Sequence, residues 1–189
     1  MAEIKVLRGK EEIERAASAA ASQILDWLKP RGNYGTGDKV IFLGVMKGGL
    51  PWMFKVIDNL PCPCHQYRVE DIELEFIRLS SYEGGTESTG NVTQDLCGID
   101  LSEWDRADII VFEDVVDSGR SFDHLQSILK NVQYASLRYV VMALKGDFQK
   151  NIDFVGFRCD KDDFLVGFGL DLDNRYRTLN YIGRLCDTS

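Results

Sequence analysis

The sequence lacks the features that mark membrane, secreted and nucleic-acid-binding proteins. None of its apolar runs approaches the roughly 20 residues that a membrane span needs, and its first residues carry no apolar stretch of the signal-peptide kind. Lysine and arginine number 22 against 30 aspartates and glutamates, a formal net charge of −8. No basic patch is concentrated enough to gather a nucleic-acid backbone. We therefore expect a cytoplasmic protein without a membrane or nucleic-acid partner.

Histidine and cysteine are too few and too scattered to predict a structural zinc site. The 189 residues contain two histidines and five cysteines. A structural zinc ion needs about four ligands, and only Cys62, Cys64 and His65 lie close together in the sequence. An odd number of cysteines without a secretion signal favours reduced thiols. The segment 61–64, which alternates proline and cysteine, has no role that the sequence reveals.

The hydrophobic pattern alternates between helices and strands over one predicted domain, residues 1–189. Helical spacing predicts an amphipathic helix over residues 10–28, and further helices over 50–60 and 121–131. Continuous apolar runs are typical of strands that are buried on both faces of a parallel sheet. We therefore predict an α/β fold with a central, mostly parallel sheet flanked by helices. The predicted strands are residues 39–45, 69–79, 107–112, 137–144, 154–157 and 164–168.

The segment after the predicted strand 107–112 contains a candidate phosphate site. Ser118, Gly119 and Ser121 lie where a helix is predicted to begin, so free backbone amides and the helix dipole point at an anion there. The spacing is not that of a Walker loop. Gly167 and Gly169 do not form a dinucleotide fingerprint either, because the third glycine is absent.

Acidic residues directly precede this phosphate site. Glu113 and Asp114 would repel a phosphate, so they must face something else. Carboxylates accept hydrogen bonds from a sugar diol or bind Mg²⁺. An anion site and two carboxylates in one short loop fit a ribose 5-phosphate. Asp117 remains, and a carboxylate in that position can act as a general acid or base.

These residues resemble a known family. Residues 113–121, with their apolar lead 108–112, resemble the phosphoribosyl-pyrophosphate signature of type I phosphoribosyltransferases. Residues 46–49 resemble the pyrophosphate loop of that family, which often has a cis peptide before its lysine. Ser81 and Tyr82 resemble the Ser-Tyr pair in the mobile flap of the 6-oxopurine (hypoxanthine-guanine) branch. Residues 164–171 and 175–177 resemble the base-binding hood of that branch. The resemblance covers residues 39–181.

The resemblance implies a fold and a role for each matching residue. It implies a flap at about residues 80–101 and a hood at about 145–189 together with the N-terminal segment. The ribose and 5′-phosphate would be bound by Glu113, Asp114, Asp117, Ser118, Gly119, Arg120 and Ser121. Pyrophosphate would be bound by Lys47, Gly48, Ser81, Tyr82 and Arg177. The base would be bound by Val115, Lys145, Phe164, Leu165 and Asp171. Mg²⁺ would be bound by Glu113, Asp114 and Asp171, and Asp117 would share a proton with N7 of the purine.

The implied reaction joins a 6-oxopurine to phosphoribosyl pyrophosphate and releases pyrophosphate. The expected products are IMP and GMP. The resemblance also implies that the protein is a homodimer or homotetramer. XMP stays open, because recognition at C2 depends on backbone carbonyls and water. Ser118 and Arg120 stand where the family often has threonine and lysine, and the arginine that often follows the position of Lys145 is absent. The alternative is a nucleotide sensor with the same fold. The presence of Asp117, Lys47 and the flap pair favours the enzyme.

Overall fold

A computed structural model describes residues 3–28, 39–61, 72–81, 92–147 and 151–186. Within these described residues there are nine strands, three α-helices and one 3₁₀ helix, residues Leu101–Trp104. The α-helices are α1 (Lys10–Leu28), α2 (Gly49–Ile57) and α3 (Arg120–Leu129). The strands are β1 (Glu3–Arg8), β2 (Val40–Met46), β3 (Ile72–Ser81), β4 (Val92–Asp95), β5 (Asp108–Val116), β6 (Ser136–Lys145), β7 (Phe154–Cys159), β8 (Leu165–Val166) and β9 (Ile182–Cys186).

The central sheet has six strands in the order β4-β3-β2-β5-β6-β7. Five of them, from β3 to β7 in that order, are parallel, and only β4 runs antiparallel to its neighbour. The predicted mostly parallel sheet is confirmed. The inner strands β2, β5 and β6 are buried along most of their length, as their continuous apolar runs require when both faces are covered.

Helices cover both faces of this sheet. Helices α1 and α2 belong to one hydrophobic core, and α3 belongs to the core on the opposite face. Trp52 of α2 is fully buried and its indole N–H donates to the carbonyl of Val140 at 3.2 Å. A buried indole needs such a partner, so this bond sets how α2 lies on the sheet. The predicted helix over residues 10–28 agrees with α1.

A second, antiparallel sheet, β1-β9-β8, corrects the sequence analysis. Strands β1 and β9 were not predicted, because β1 alternates charged and apolar residues and is half-exposed. It forms because β9 supplies a partner, with Ile4 opposite Leu185. The predicted strand 164–168 was too long, since Gly167 and Phe168 adopt positive φ values of 91° and 47° and turn the chain away.

Other predicted boundaries also shift. The second and third helices end two or three residues before their predicted ends. The predicted loop or weak hairpin over 80–101 is in part a hairpin, with Ser81 of β3 paired with Val92 of β4. Tyr82 and residues 62–65 lie outside the described residues. Among the described helices, none combines the length and the apolarity needed to cross a membrane.

Candidate active site

The site lies where the order of the central sheet reverses. The chain leaves β2 toward β3 on one side and leaves β5 toward β6 on the other, although β2 and β5 are neighbours. Ligands of open α/β sheets bind in the crevice at the carboxyl ends of such strands. The loops that follow β2 and β5 therefore face the same crevice. The peptide bond between Met46 and Lys47 is cis, and the Lys47 side chain is exposed.

Close packing around Gly48 joins three separate segments. A Cβ atom placed on Gly48 would lie 1.5 Å from an Oδ of Asp114, so the acidic loop lies directly on this glycine. A Cβ atom on Gly169 would lie 2.5 Å from the carbonyl oxygen of Gly48. Gly169 also has a φ of 97°, a conformation open chiefly to glycine. The loop after β2, the last residues of β5 and the segment after β8 thus meet at one point.

The loop after β5 forms a small anion-sized cavity. Residues 115–122 line a space of about 90 Å³. Gly119 caps α3 in a left-handed conformation, with φ 75° and ψ 11°, and no side chain caps the helix. The first amides of α3 are therefore free to bind a ligand, and the helix dipole favours an anion there.

Two adjacent carboxyl groups lie at the end of β5. Glu113 is only 8% exposed, and its burial, with the neighbouring Asp114, raises the pKa of Glu113 well above its ordinary value. Burial is also the main reason why the pKa of Asp114 is raised; Asp171 raises it further and Arg177 opposes this. Both groups therefore favour a ligand that supplies positive charge or hydrogen-bond donors.

Replacing Glu113 by glutamine should stabilise the protein. Because the folded state raises the pKa of Glu113, the stability that this group contributes is lost as the pH rises above its unfolded value of about 4.3. We expect Glu113→Gln to raise Tm by about 2–6 °C at pH 8, with almost no gain at pH 4. Calorimetric melting at both pH values measures this. The exposed Glu103 supplies the control Glu103→Gln, and an equal gain in that variant at pH 8 would contradict the interpretation.

Asp117 and Lys145 form an ion pair across the crevice. The Lys145 Nζ lies 2.9 Å from an Oδ of Asp117. The lysine side chain is 14% exposed and the aspartate side chain is 55% exposed. Lys145 ends β6, the strand next to β5. The structure thus brings together two residues that the sequence separates by 28 positions, one a proton acceptor and the other a cationic donor.

The segment after β8 is held together by Arg177. This arginine forms an ion pair with Asp171 and donates to the carbonyl of Gly169 at 2.6 Å. Asp171 also accepts the backbone N–H of Asn174 at 2.7 Å. Arg177, predicted to bind pyrophosphate, therefore already has partners within its own segment. Its charge still acts on Asp114.

A second cavity contains cationic side chains, one of which the sequence analysis missed. Lys47, Arg78, Asn174 and Arg177, with two apolar neighbours, line a space of about 320 Å³. Arg78 lies opposite Met46 across the β2–β3 ladder. The sequence signal that could have identified Arg78 is its position just before the predicted flap. A cation near the end of β3 lies beside the loop after β2, because these parallel strands are neighbours.

The predicted base-binding residues differ in exposure. Phe164 is 50% exposed, whereas Leu165 is 8% exposed and its side chain packs in the core. Only the backbone of Leu165 can therefore meet a ligand. Val115 is half-buried and packs against the same core. The segment that carries Phe164 follows β7, where Cys159 pairs with Lys145. Ser81 is the last residue of β3, and its side chain lies outside the described part of the structure.

Comparison with known proteins identifies the family. The family model of the phosphoribosyl transferase domain matches residues 8–174. The chain belongs to this phosphoribosyltransferase family. The match includes the loops after β2 and β5 and the segment that carries Phe164, and it ends before Arg177.

Similarity to curated relatives and to solved structures of other proteins places this phosphoribosyltransferase in the hypoxanthine-guanine branch. The chain is 34% identical to the hypoxanthine-guanine phosphoribosyltransferase of Mycoplasma genitalium, over 94% of this chain and 93% of that protein. It is 32% identical to the Bacillus subtilis enzyme of the same name, over 96% and 92%. A solved hypoxanthine-guanine phosphoribosyltransferase of Bacillus anthracis has a TM-score of 0.78 at 26% identity and covers 97% of this chain and 100% of that one. The predicted family and type of enzyme are confirmed.

Proposed function

We propose that this phosphoribosyltransferase is a purine-salvage enzyme that joins hypoxanthine or guanine to phosphoribosyl pyrophosphate. The products are IMP or GMP and pyrophosphate. One observation carries the proposal: the ion pair of Asp117 and Lys145 lies directly beside the anion cavity of residues 115–122. A site for the base edge and a site for the 5′-phosphate thus occur together.

The 5′-phosphate binds in the anion cavity after β5. Ser118 and Ser121 supply hydroxyl donors, and the amides of Gly119, Arg120 and Ser121 lie at the start of α3. The exposed Arg120 adds a positive charge at the same end. These groups bind the part of the substrate that does not react, and they fix the position of the ribose.

Glu113 and Asp114 bind the ribose hydroxyl groups. They directly precede the residues that line the anion cavity, as the binding of one ribose 5-phosphate by both parts requires. Burial raises the pKa of both carboxyl groups, so hydrogen-bond donors from a ligand would stabilise their charged forms. A sugar diol supplies such donors.

The same carboxylates fit a magnesium ion that the substrate helps to hold. Among the described residues, no three His, Cys, Asp or Glu side chains are grouped so as to hold a metal by themselves. Mg²⁺ often binds through one or two carboxylates together with substrate phosphates, and Asp114 and Asp171 are close enough to influence each other. Glu113, Asp114 and Asp171 would hold Mg²⁺, which would neutralise the departing pyrophosphate.

Lys145 and Asp117 recognise the edge of the purine that carries O6 and N7. The Lys145 ammonium donates to the 6-oxo group, and Asp117 accepts the proton of N7. As the bond from N9 to C1′ forms, the bond from C1′ to pyrophosphate breaks and the N7 proton moves to Asp117. The ion pair of the free enzyme keeps both groups satisfied until the base replaces it. Phe164, with half of its surface exposed, stacks on the purine face.

Pyrophosphate binds between the loop after β2 and the end of β3. Lys47 and Arg78 both line the 320 Å³ cavity, and the Gly48 amide directly follows Lys47 in the chain. Arg177 holds Asp171 in place and adds its charge. Ser81 and Tyr82 remain our prediction for the flap that excludes water from the reacting ribose. The backbone carbonyls of Leu165 and Asp171 remain our prediction for the 2-amino group of guanine.

A nucleotide-formation assay tests the function. It combines phosphoribosyl pyrophosphate and Mg²⁺ with hypoxanthine, guanine, xanthine, adenine or uracil. We expect turnover of hypoxanthine and guanine, and the xanthine result decides whether XMP is a product. Omitting Mg²⁺ or replacing it by Ca²⁺ tests the metal. Absence of turnover with every base, while phosphoribosyl pyrophosphate or GMP still binds, would favour the sensor.

We further propose that the chain forms a homodimer or homotetramer. Phe54 of α2 and Leu74 of β3 are 45% and 41% exposed, and the ring of Phe54 packs against that of Phe76 at 6.4 Å. This apolar surface adjoins the loop after β2. Sedimentation equilibrium should show a dimer or tetramer at micromolar concentration, and Phe54→Ser should weaken it. A monomer at that concentration would contradict the proposal.

A cytoplasmic location also remains a prediction.

A further inference from the structure

Asp163 is a buried charged residue that the proposed reaction does not use. It is 5% exposed and directly precedes Phe164. Its two carboxylate oxygens have separate partners: Arg184 Nη1 donates to one at 2.9 Å, and the backbone N–H of Asp160 donates to the other at 3.1 Å. The Asp163 N–H donates in turn to the Asp160 carbonyl at 3.2 Å. Residues 160–163 therefore form a closed turn that Arg184 ties to β9.

The turn determines where the Phe164 backbone lies. The Phe164 carbonyl accepts the N–H of Leu185 at 3.0 Å, and Leu165 then pairs with Arg184 in the β8–β9 ladder. Phe164 is thus bracketed by two buried neighbours, Asp163 and Leu165, while half of its own surface is exposed. A backbone movement that turned the Phe164 ring would therefore have to displace Asp163 or Leu165 from its buried position.

Packing alone does not hold this turn. A cavity of about 220 Å³ lies beside it, lined in part by Cys159, Asp160, Asp163 and Arg184. A segment beside a cavity lacks contact atoms on that side, so the turn has room to shift once its polar contacts are removed. The ion pair of Asp163 and Arg184 is the contact that spans the edge of the cavity.

We propose that Asp163 and Arg184 are a positioning pair that orients Phe164 and so sets the affinity for the purine base. This inference rests on the proposed function, in which Phe164 stacks on the base. Neither side chain touches the substrate. Their effect falls on base binding, because Phe164 directly follows Asp163, whereas Asp171 and Arg177 of the pyrophosphate site are held by partners within their own segment.

The variant Arg184→Met keeps the apolar stem of the side chain and removes the ion pair. We expect the KM for hypoxanthine and guanine to rise about tenfold through weakened stacking. The value of kcat should stay within about threefold and the KM for phosphoribosyl pyrophosphate should not change, since a loss of uniform binding raises KM alone. Arg184→Lys, which retains the cation, should restore part of the affinity for the base.

The pair of Arg138 and Asp153 supplies a matched control. Arg138 Nη1 lies 3.2 Å from Asp153, and the other Asp153 oxygen accepts the backbone N–H of Tyr139 at 2.8 Å. In both pairs, one aspartate oxygen binds an arginine and the other accepts a backbone N–H. Arg138, however, lies near the start of β6, far from Lys145 at the end of that strand. Arg138→Met should lower Tm without changing any KM. If Arg184→Met also lowers Tm and leaves the KM for the base unchanged, the pair is only structural and the proposal is wrong.

Calorimetric binding of GMP separates this proposal from the proposed function. Absence of turnover by the wild-type enzyme would overturn the function. GMP binding weakened about tenfold in Arg184→Met would still support the positioning pair in that case. Equal GMP affinity in the wild type and the variant would overturn the pair, and absence of GMP binding to the wild type would overturn both. If Arg184→Met does not fold, Asp163→Asn gives the same comparison with a smaller change of shape.

Discussion

Replacing Asp117 by asparagine should lower kcat for hypoxanthine and guanine by about 10²–10⁴-fold, the usual contribution of a general acid or base. Asparagine keeps the shape of the side chain but cannot accept the proton that leaves N7. It also removes the charge that pairs with Lys145 at 2.9 Å. The KM for phosphoribosyl pyrophosphate should change far less, because the hydroxyl and amide donors of the anion cavity belong to residues 118–121, which follow Asp117.

Steady-state kinetics with each substrate varied in turn measures both effects. Glu73→Gln is the matched control. Glu73 pairs with Lys39 at 2.8 Å near the amino ends of β2 and β3, whereas the site lies at the carboxyl ends of the strands. That variant loses an ion pair of similar length and should retain the wild-type kcat. A wild-type kcat in Asp117→Asn would remove Asp117 from the mechanism, and an equal loss in both variants would mean that the effect is structural.

Replacing Lys145 by methionine should abolish the preference for 6-oxopurines. The ammonium group donates to a 6-oxo group and has no use for a 6-amino group, so its removal costs hypoxanthine and guanine but not adenine. A site that is built to hydrogen-bond one substrate group discriminates strongly; we expect kcat/KM for hypoxanthine and guanine to fall by about 10²–10³-fold. Because the side chain is only 14% exposed, methionine should occupy the same space.

The comparison of bases is the decisive measurement for Lys145. The ratio of kcat/KM values for hypoxanthine and adenine should approach one in Lys145→Met. Lys39→Met, which breaks the ion pair to Glu73, is the control and should leave the ratio unchanged. Retention of the wild-type ratio in Lys145→Met would show that another group reads position 6. The double variant with Asp117→Asn should lose less than the product of the single effects, since the two residues are in contact.

Much of the central sheet could be predicted from local patterns. The apolar runs of β2, β5 and β6 predict buried parallel strands, because a strand covered on both faces has no polar side. The amphipathic spacing of residues 10–28 predicts α1, because a helix that packs on a sheet buries one face and exposes the other. The strands of the second sheet could not be predicted, since β1 and β9 depend on each other across most of the chain.

The candidate site divides in a similar way. Residues 113–121 could be recognised as a binding segment from local pattern alone, because the acidic pair at the end of β5, the small residues and the start of α3 are contiguous. Three contacts follow from the packing of the folded chain: Lys145 pairs with Asp117, Gly48 lies against both Asp114 and Gly169, and Arg184 binds Asp163 in the turn before Phe164. These contacts join segments that are far apart in the chain. The packing of the strands determines such distances, and no local pattern records them.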